Sequence, residues 1–215
     1  MFERNRHARP PPPSSWSTLV QTLAAHGLAD QISASAVDAS WRRDGIVPED
    51  APSQAQFDAL LPQAYRAFVA EHGYPLLAAP SELHYAFAFL PPRAARQVST
   101  LLADEARPFA EVRAERREGR YTWRHVMFAG WNFADGDGWA FGVDPQAEGA
   151  PEPVVWLLEG GQVVEAVGSF QHWLAERAAD VRSRVEALDA DALAQAAAWE
   201  GDYAYGPQDL EGFDA

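Results

Sequence analysis

Cysteine is absent from this 215-residue chain, which excludes disulfide staples, thiolate zinc sites, iron–sulfur clusters and a thiol nucleophile together. Lysine is absent too, since all 17 basic side chains are arginine, so the phosphate-cradling Gly-x-x-x-x-Gly-Lys-Ser/Thr loop cannot form. No apolar run approaches the roughly 20 residues of a membrane span. The Arg- and Pro-rich start lacks the apolar stretch of a secretory signal, so a soluble, cytoplasmic protein is expected. Positive charge is scarce, with 17 basic against 31 acidic side chains, a net charge of −14 and a pI near 4.7. Phosphate backbones are bound through a surplus of Lys and Arg that releases counterions, so nucleic acid is not the expected partner.

What is present is core-building material. Hydrophobic residues make up 47% of the chain and aromatics 12%, well above a disordered composition, and the length suits one ordinary domain or slightly more. The charge is unevenly placed. Residues 93–125 carry eight basic and five acidic groups, whereas residues 126–215 carry three basic and 17 acidic ones. An acidic face of this kind either keeps a protein soluble or steers a basic partner toward it.

Residues 1–14 contain Pro10 to Pro13 and almost nothing apolar, so a Pro-rich disordered tail is expected there. A short helical pattern runs from Ser15 through Leu19 and Leu23 to a stop at Gly27, and a weaker one lies near residues 34–43. Apolar residues from Phe57 to Val69 keep the spacing of one buried helix face. Proline breaks a helix interior but suits its first turn, so the continuous helix is predicted from Pro62 to Gly73, with a separate turn before it.

Residues 84–90 read as a strand with aromatics at alternate positions, and Pro91-Pro92 ends it and opens a helix striped with Ala94, Ala95, Val98, Leu101 and Leu102. Glu111 to Arg120 holds seven charges in ten residues, the pattern of a solvated hairpin or helix end. Strand-like runs follow at Tyr121–Ala129, Gly138–Val143, Val154–Leu158 and Gln162–Val167. Only Gly160-Gly161 separates Glu159 from Gln162, a tight-hairpin signal. Ser169 is placed to cap a helix bearing Phe170, Trp173, Leu174, Ala178, Val181 and Val185, and a further helix is expected over about 189–199. This order predicts an α+β fold: a mainly antiparallel sheet of about four to six strands flanked by helices, with an N-terminal helical extension.

No catalytic constellation survives inspection. The segment Asp135-Gly136-Asp137-Gly138-Trp139 begins like a calcium loop, but the fifth, sixth and twelfth positions are Trp139, Ala140 and Gln146 instead of an oxygen ligand, Gly and an oxygen ligand. It reads instead as a tight turn. The six histidines have no tight ligand spacing, and neither a Gly-x-Ser-x-Gly elbow nor a Gly-x-Gly-x-x-Gly fingerprint occurs. No metal and no cofactor is expected. Trp131, Trp139, Trp156 and Trp173 fall in or beside strand and helix patterns and suit core packing, whereas Trp199, Tyr203, Tyr205 and Phe213 sit in an acidic terminal segment.

The middle of the chain resembles the SUKH superfamily, the group that includes the Smi/Knr-type cell-wall regulators of yeast and many bacterial immunity proteins. The resemblance is carried by Leu61-Pro62-Gln63-Ala64-Tyr65 through Phe68 to His72-Gly73, by Phe133 to Asp144 as a strand, Asp/Gly turn and strand, and by Pro153-Val154-Val155-Trp156 with Ser169-Phe170-Gln171-His172-Trp173-Leu174. It covers about residues 57–176. It implies an α+β fold without catalysis, used to bind and neutralise toxin domains, often nucleases. The chain then divides into the tail over 1–14, a helical extension over 15–56, a SUKH-like domain over 57–186 and an acidic aromatic segment over 187–215.

The function expected is that of a non-catalytic immunity protein that occludes the active site of a cognate bacterial toxin. Its partner would be a basic toxin domain, with neither nucleic acid nor membrane bound, and the protein itself a monomer or weak dimer. The alternatives are a regulatory or scaffold subunit of a cellular enzyme and, last, a carboxylate-based hydrolase. Candidate partner-binding residues in the sheet region are Trp131, Asp135, Asp137, Trp139, Asp144 and Glu159. In the terminal segment they are Trp199, Asp202, Tyr203 and Tyr205.

Overall fold

Pro62 sets the start of the helix that the apolar spacing predicts. It occupies the N-cap of Gln63–His72, and the preceding turn is its own short helix, Gln54–Asp58, closed by a Ser53/Gln56 capping box. The computed structural model describes residues 15–35, 53–80, 83, 85–105, 109–118, 123–133, 135–143 and 153–199. Within them the helices are α1 (Ser15–Ala25), α2 (Gln54–Asp58), α3 (Gln63–His72), α4 (Pro92–Glu105), α5 (Phe109–Arg117), α6 (Phe170–Glu186) and α7 (Ala190–Ala197). The strands are β1 (Ile32–Ala34), β2 (Pro75–Leu77), β3 (Phe87–Phe89), β4 (His125–Asn132), β5 (Asp137–Gly142), β6 (Val155–Glu159) and β7 (Gln162–Gly168).

The strands form one seven-stranded sheet in the order β1 to β7, antiparallel at every pairing. The fold is therefore α+β, an antiparallel sheet flanked by helices. β1 and β2 add two three-residue strands that the sequence pattern does not announce. Ala34, expected in a helix, instead ends β1, and Ser35 N–H donates to the Tyr74 carbonyl at 2.8 Å; residues 36–43 lie outside the described residues.

One face of the sheet is filled by aromatic side chains. Phe128 stacks on Phe141 at 4.2 Å; both meet Tyr65 of α3 edge-on, and Phe128 also meets Phe170 of α6 edge-on. Trp16 of α1 packs edge-on against Phe68, Phe87 and Phe89, so the helical extension belongs to the same core as the sheet. The opposite face is covered by α4, with α2 and α5 packed on it. Ser99 Oγ accepts the Met127 N–H at 2.9 Å, and Trp123 Nε1–H donates to Thr100 Oγ1 at 3.0 Å, so these two polar side chains of α4 are satisfied within the buried layer. The predicted cap at Ser169 is present, its side chain accepting from His172 N–H, and Gly160 and Gly161 both adopt positive φ in the β6–β7 turn.

Candidate functional site

The meander places the β4–β5 and β6–β7 turns at one end of the sheet, and this brings together three of the sequence-selected acids. Asp137 Oδ1 accepts the Gly160 N–H at 2.7 Å, and Gly161 N–H donates to the Gly136 carbonyl at 3.3 Å. Asp135 Oδ2 accepts from Asn132 Nδ2 at 2.7 Å. Glu159 is exposed on the neighbouring strand end. The Asp/Gly segment is thus a turn in which the Asp137 carboxylate closes one hairpin onto the next, while Asp135 bonds within its own hairpin. Gly138 is required by close approach, because a Cβ there would collide with the Ala129 carbonyl and the Gly130 Cα.

Next to this end, on the aromatic face, the sheet is not fully covered. A groove of about 600 Å³ opens between α6 and strands β3 to β7. Its floor holds Phe87, Trp131, Trp139 and Leu157, and its rim holds Glu165, Glu176, Arg177 and Asp180. Trp131 and Trp139, both chosen from sequence, meet edge-on at 4.8 Å. Trp139 is largely buried, at 7% exposure, and contacts Phe87 and Trp173. Trp131 is half-buried. The sequence reading of core packing thus describes Trp139 well, while Trp131 retains surface toward the groove.

The rim residues went unnoticed in the sequence because they come from two separated elements. Arg177 lies one helical turn after the buried Trp173, and its Cζ sits 5.8 Å from the Trp139 ring centroid. Asp180 accepts from Arg184 Nε at 3.2 Å and lies 3.6 Å from Arg177. His172 and Glu176 pair at 3.2 Å on the same helix. The i, i+4 spacing of Trp173 with Arg177, and of Glu176 with Asp180, was the available signal for Arg177 and the acids beside it. Glu165 had none.

Of the remaining candidates, Trp199 is half-buried just beyond α7, whereas Asp144, Asp202, Tyr203 and Tyr205 lie outside the described residues. Among the described residues no cluster of three or more His, Asp or Glu is placed to hold a metal ion, and no helix is long and apolar enough to cross a membrane. Titration is perturbed away from the groove and beside it. Burial, and to a smaller degree Tyr74, pushes the Tyr65 hydroxyl well up; burial raises Tyr85, offset in part by its hydrogen bond to Gln31 at 2.8 Å. The groove itself can bind by aromatic contact and charge, with a resident cation–π pair as its chemistry. Comparison with protein-family models, curated proteins and solved structures finds no match for this chain.

Proposed function

We propose that this chain is a non-catalytic binding protein of the immunity type, which neutralises a basic toxin domain by covering its active site. The observation that carries this reading is the groove, where two tryptophans lie beneath a rim bearing three carboxylates. Tryptophans in partly covered pockets dominate interface energetics, and acidic rims speed encounter with basic partners. The uneven charge supports it, with 17 of the 31 acidic side chains in residues 126–215. So does the resemblance of residues 57–176 to the SUKH superfamily, whose immunity members act by binding. If the toxin acts on nucleic acid its cleft must be positive, and carboxylates then take the place of phosphates.

The test is genetic and then biochemical. Deleting the gene should kill cells only while a neighbouring toxin gene is intact, and the purified protein should abolish that toxin's activity at a one-to-one ratio. Viability lost whether or not a toxin is present would instead favour a regulatory subunit of a cellular enzyme. Turnover of a substrate that Asp137→Asn abolishes would replace binding with hydrolysis.

A further inference from the structure

The groove under α6 already holds one cation. The Arg177 guanidinium rests over Trp139 with a carboxylate, Asp180, behind it. The ring surface and the spacing of the acids therefore accommodate a planar cation in this setting. Opposite, Glu165 of β7 is exposed and forms no ion pair among the described residues, and Glu176 pairs with His172 at 3.2 Å. Of the three rim carboxylates, Asp180 is met by Arg177 and by Arg184 at 3.2 Å, so the negative charge that the rim's arginines leave uncancelled is that of Glu165 and Glu176. Trp131, half-buried beside Trp139, offers a second ring whose face has no such cation among the described residues.

We infer that this groove is a receptor for an arginine side chain presented by an extended segment of a protein partner. The guanidinium stacks against Trp131, with Glu165 and Glu176 as its counter-charges. Arginine fits better than lysine, because its plane stacks on aromatic rings and sheds water more readily than a compact ammonium. A polypeptide fits better than a small free cation. The cavity of about 600 Å³ extends past the charged rim onto Leu157, Val167 and Pro80, apolar surface that a lone cation would leave unused. The inference rests on the binding reading above only in needing a protein partner. It adds the chemistry of what that partner must present and where.

The probe is the peptide acetyl-Gly-Gly-Arg-Gly-Gly-amide, titrated into the full chain while the eight tryptophan indole N–H resonances are followed by NMR. The expected result is a saturable shift confined to Trp131 and Trp139, with Trp131→Phe assigning the first. The citrulline peptide, neutral but otherwise isosteric, should bind about fivefold to thirtyfold more weakly, the range of a partly desolvated cation–π contact. Glu165→Gln, an exposed change that leaves the core intact, should weaken the arginine peptide about twofold to fivefold. Equal binding of the two peptides, no saturation at either tryptophan, or no effect of Glu165→Gln would each overturn the assignment. Tighter binding of spermidine than of the peptide at the same resonances would overturn the polypeptide part. A toxin neutralised by the protein but insensitive to Trp131→Leu and Glu165→Gln would sink this groove and leave the binding function standing. Peptide binding in a strain whose deletion phenotype ignores any toxin would do the reverse.

Discussion

At the scale of single residues, carboxylates that look alike in sequence do different work. Asp137 is committed to the fold, since its Oδ1 holds the Gly160 N–H at 2.7 Å across two hairpins, and hydrogen bonds to charged acceptors contribute about 1.5–3 kcal/mol. Asp137→Ala should lower unfolding free energy by about 1–2 kcal/mol after allowance for its partial exposure, whereas Glu159→Ala on the exposed strand end should stay within about 0.5 kcal/mol. Urea titration of both variants checks this, and equal effects would remove the stitching role. His125 gives a pH signature. Burial first, and the neighbouring Arg124 second, lower its pKa from the usual 6.5. The unfolded chain therefore takes up the proton before the folded one does, so the stabilising contribution is complete above 6.5 and is lost as pH falls through the lower folded value. Melting temperature should drop between pH 7.5 and pH 5, and His125→Gln should flatten that segment of the profile. An unchanged slope in the variant would assign the loss to other groups.

At the scale of elements, what could be read from the chain was local, and what could not be read was formed by distant pairings. The α3 start at Pro62, the Ser169 cap and the Gly160-Gly161 turn each rest on chemistry within a few residues, and all three appear in the fold. β1 and β2 are three residues each and carry no alternation; they exist because Ile32 pairs with Leu77 and Leu76 with Ala88, contacts that no window of sequence contains. The candidate site divides in the same way. Trp131 and Trp139 drew notice as aromatics at strand ends, but Glu165 and Arg177 acquire meaning only when β7 and α6 are placed over them. The helical extension was legible as a helix but not as part of the core. Trp16, at 3% exposure, lies among Phe68, Phe87 and Phe89. Trp16→Ala should therefore cost about 3–5 kcal/mol, the range for emptying a buried aromatic site, and Val20→Ala on the exposed side of the same helix should cost almost nothing. If denaturation shows the two variants alike, α1 is an accessory to the domain and not part of it.

At the scale of the whole molecule, charge and shape are arranged in concert. The exposed Arg113 and Arg117 belong to α5, which packs on α4 and so lies on the side of the sheet away from the groove. Asp135, Asp137 and Glu159 gather at the turn end, and Glu165, Glu176 and Asp180 rim the groove beside it. If the partner is basic, as proposed, its field turns a molecule charged in this way before contact, which raises the association rate while leaving dissociation to the packed aromatic floor. Salt separates the two contributions, because the Debye length shrinks from about 10 Å at 0.1 M to about 3 Å at 1 M. With the proposed basic partner, raising sodium chloride from about 0.05 to 0.5 M should slow association by roughly tenfold or more and change dissociation little, measured by stopped-flow tryptophan fluorescence. Trp131→Leu should do the opposite, leaving association nearly unchanged and speeding dissociation, because it removes contact area and not charge. An association rate indifferent to salt would detach the acidic surface from binding, and the charge would then serve only to keep the protein in solution.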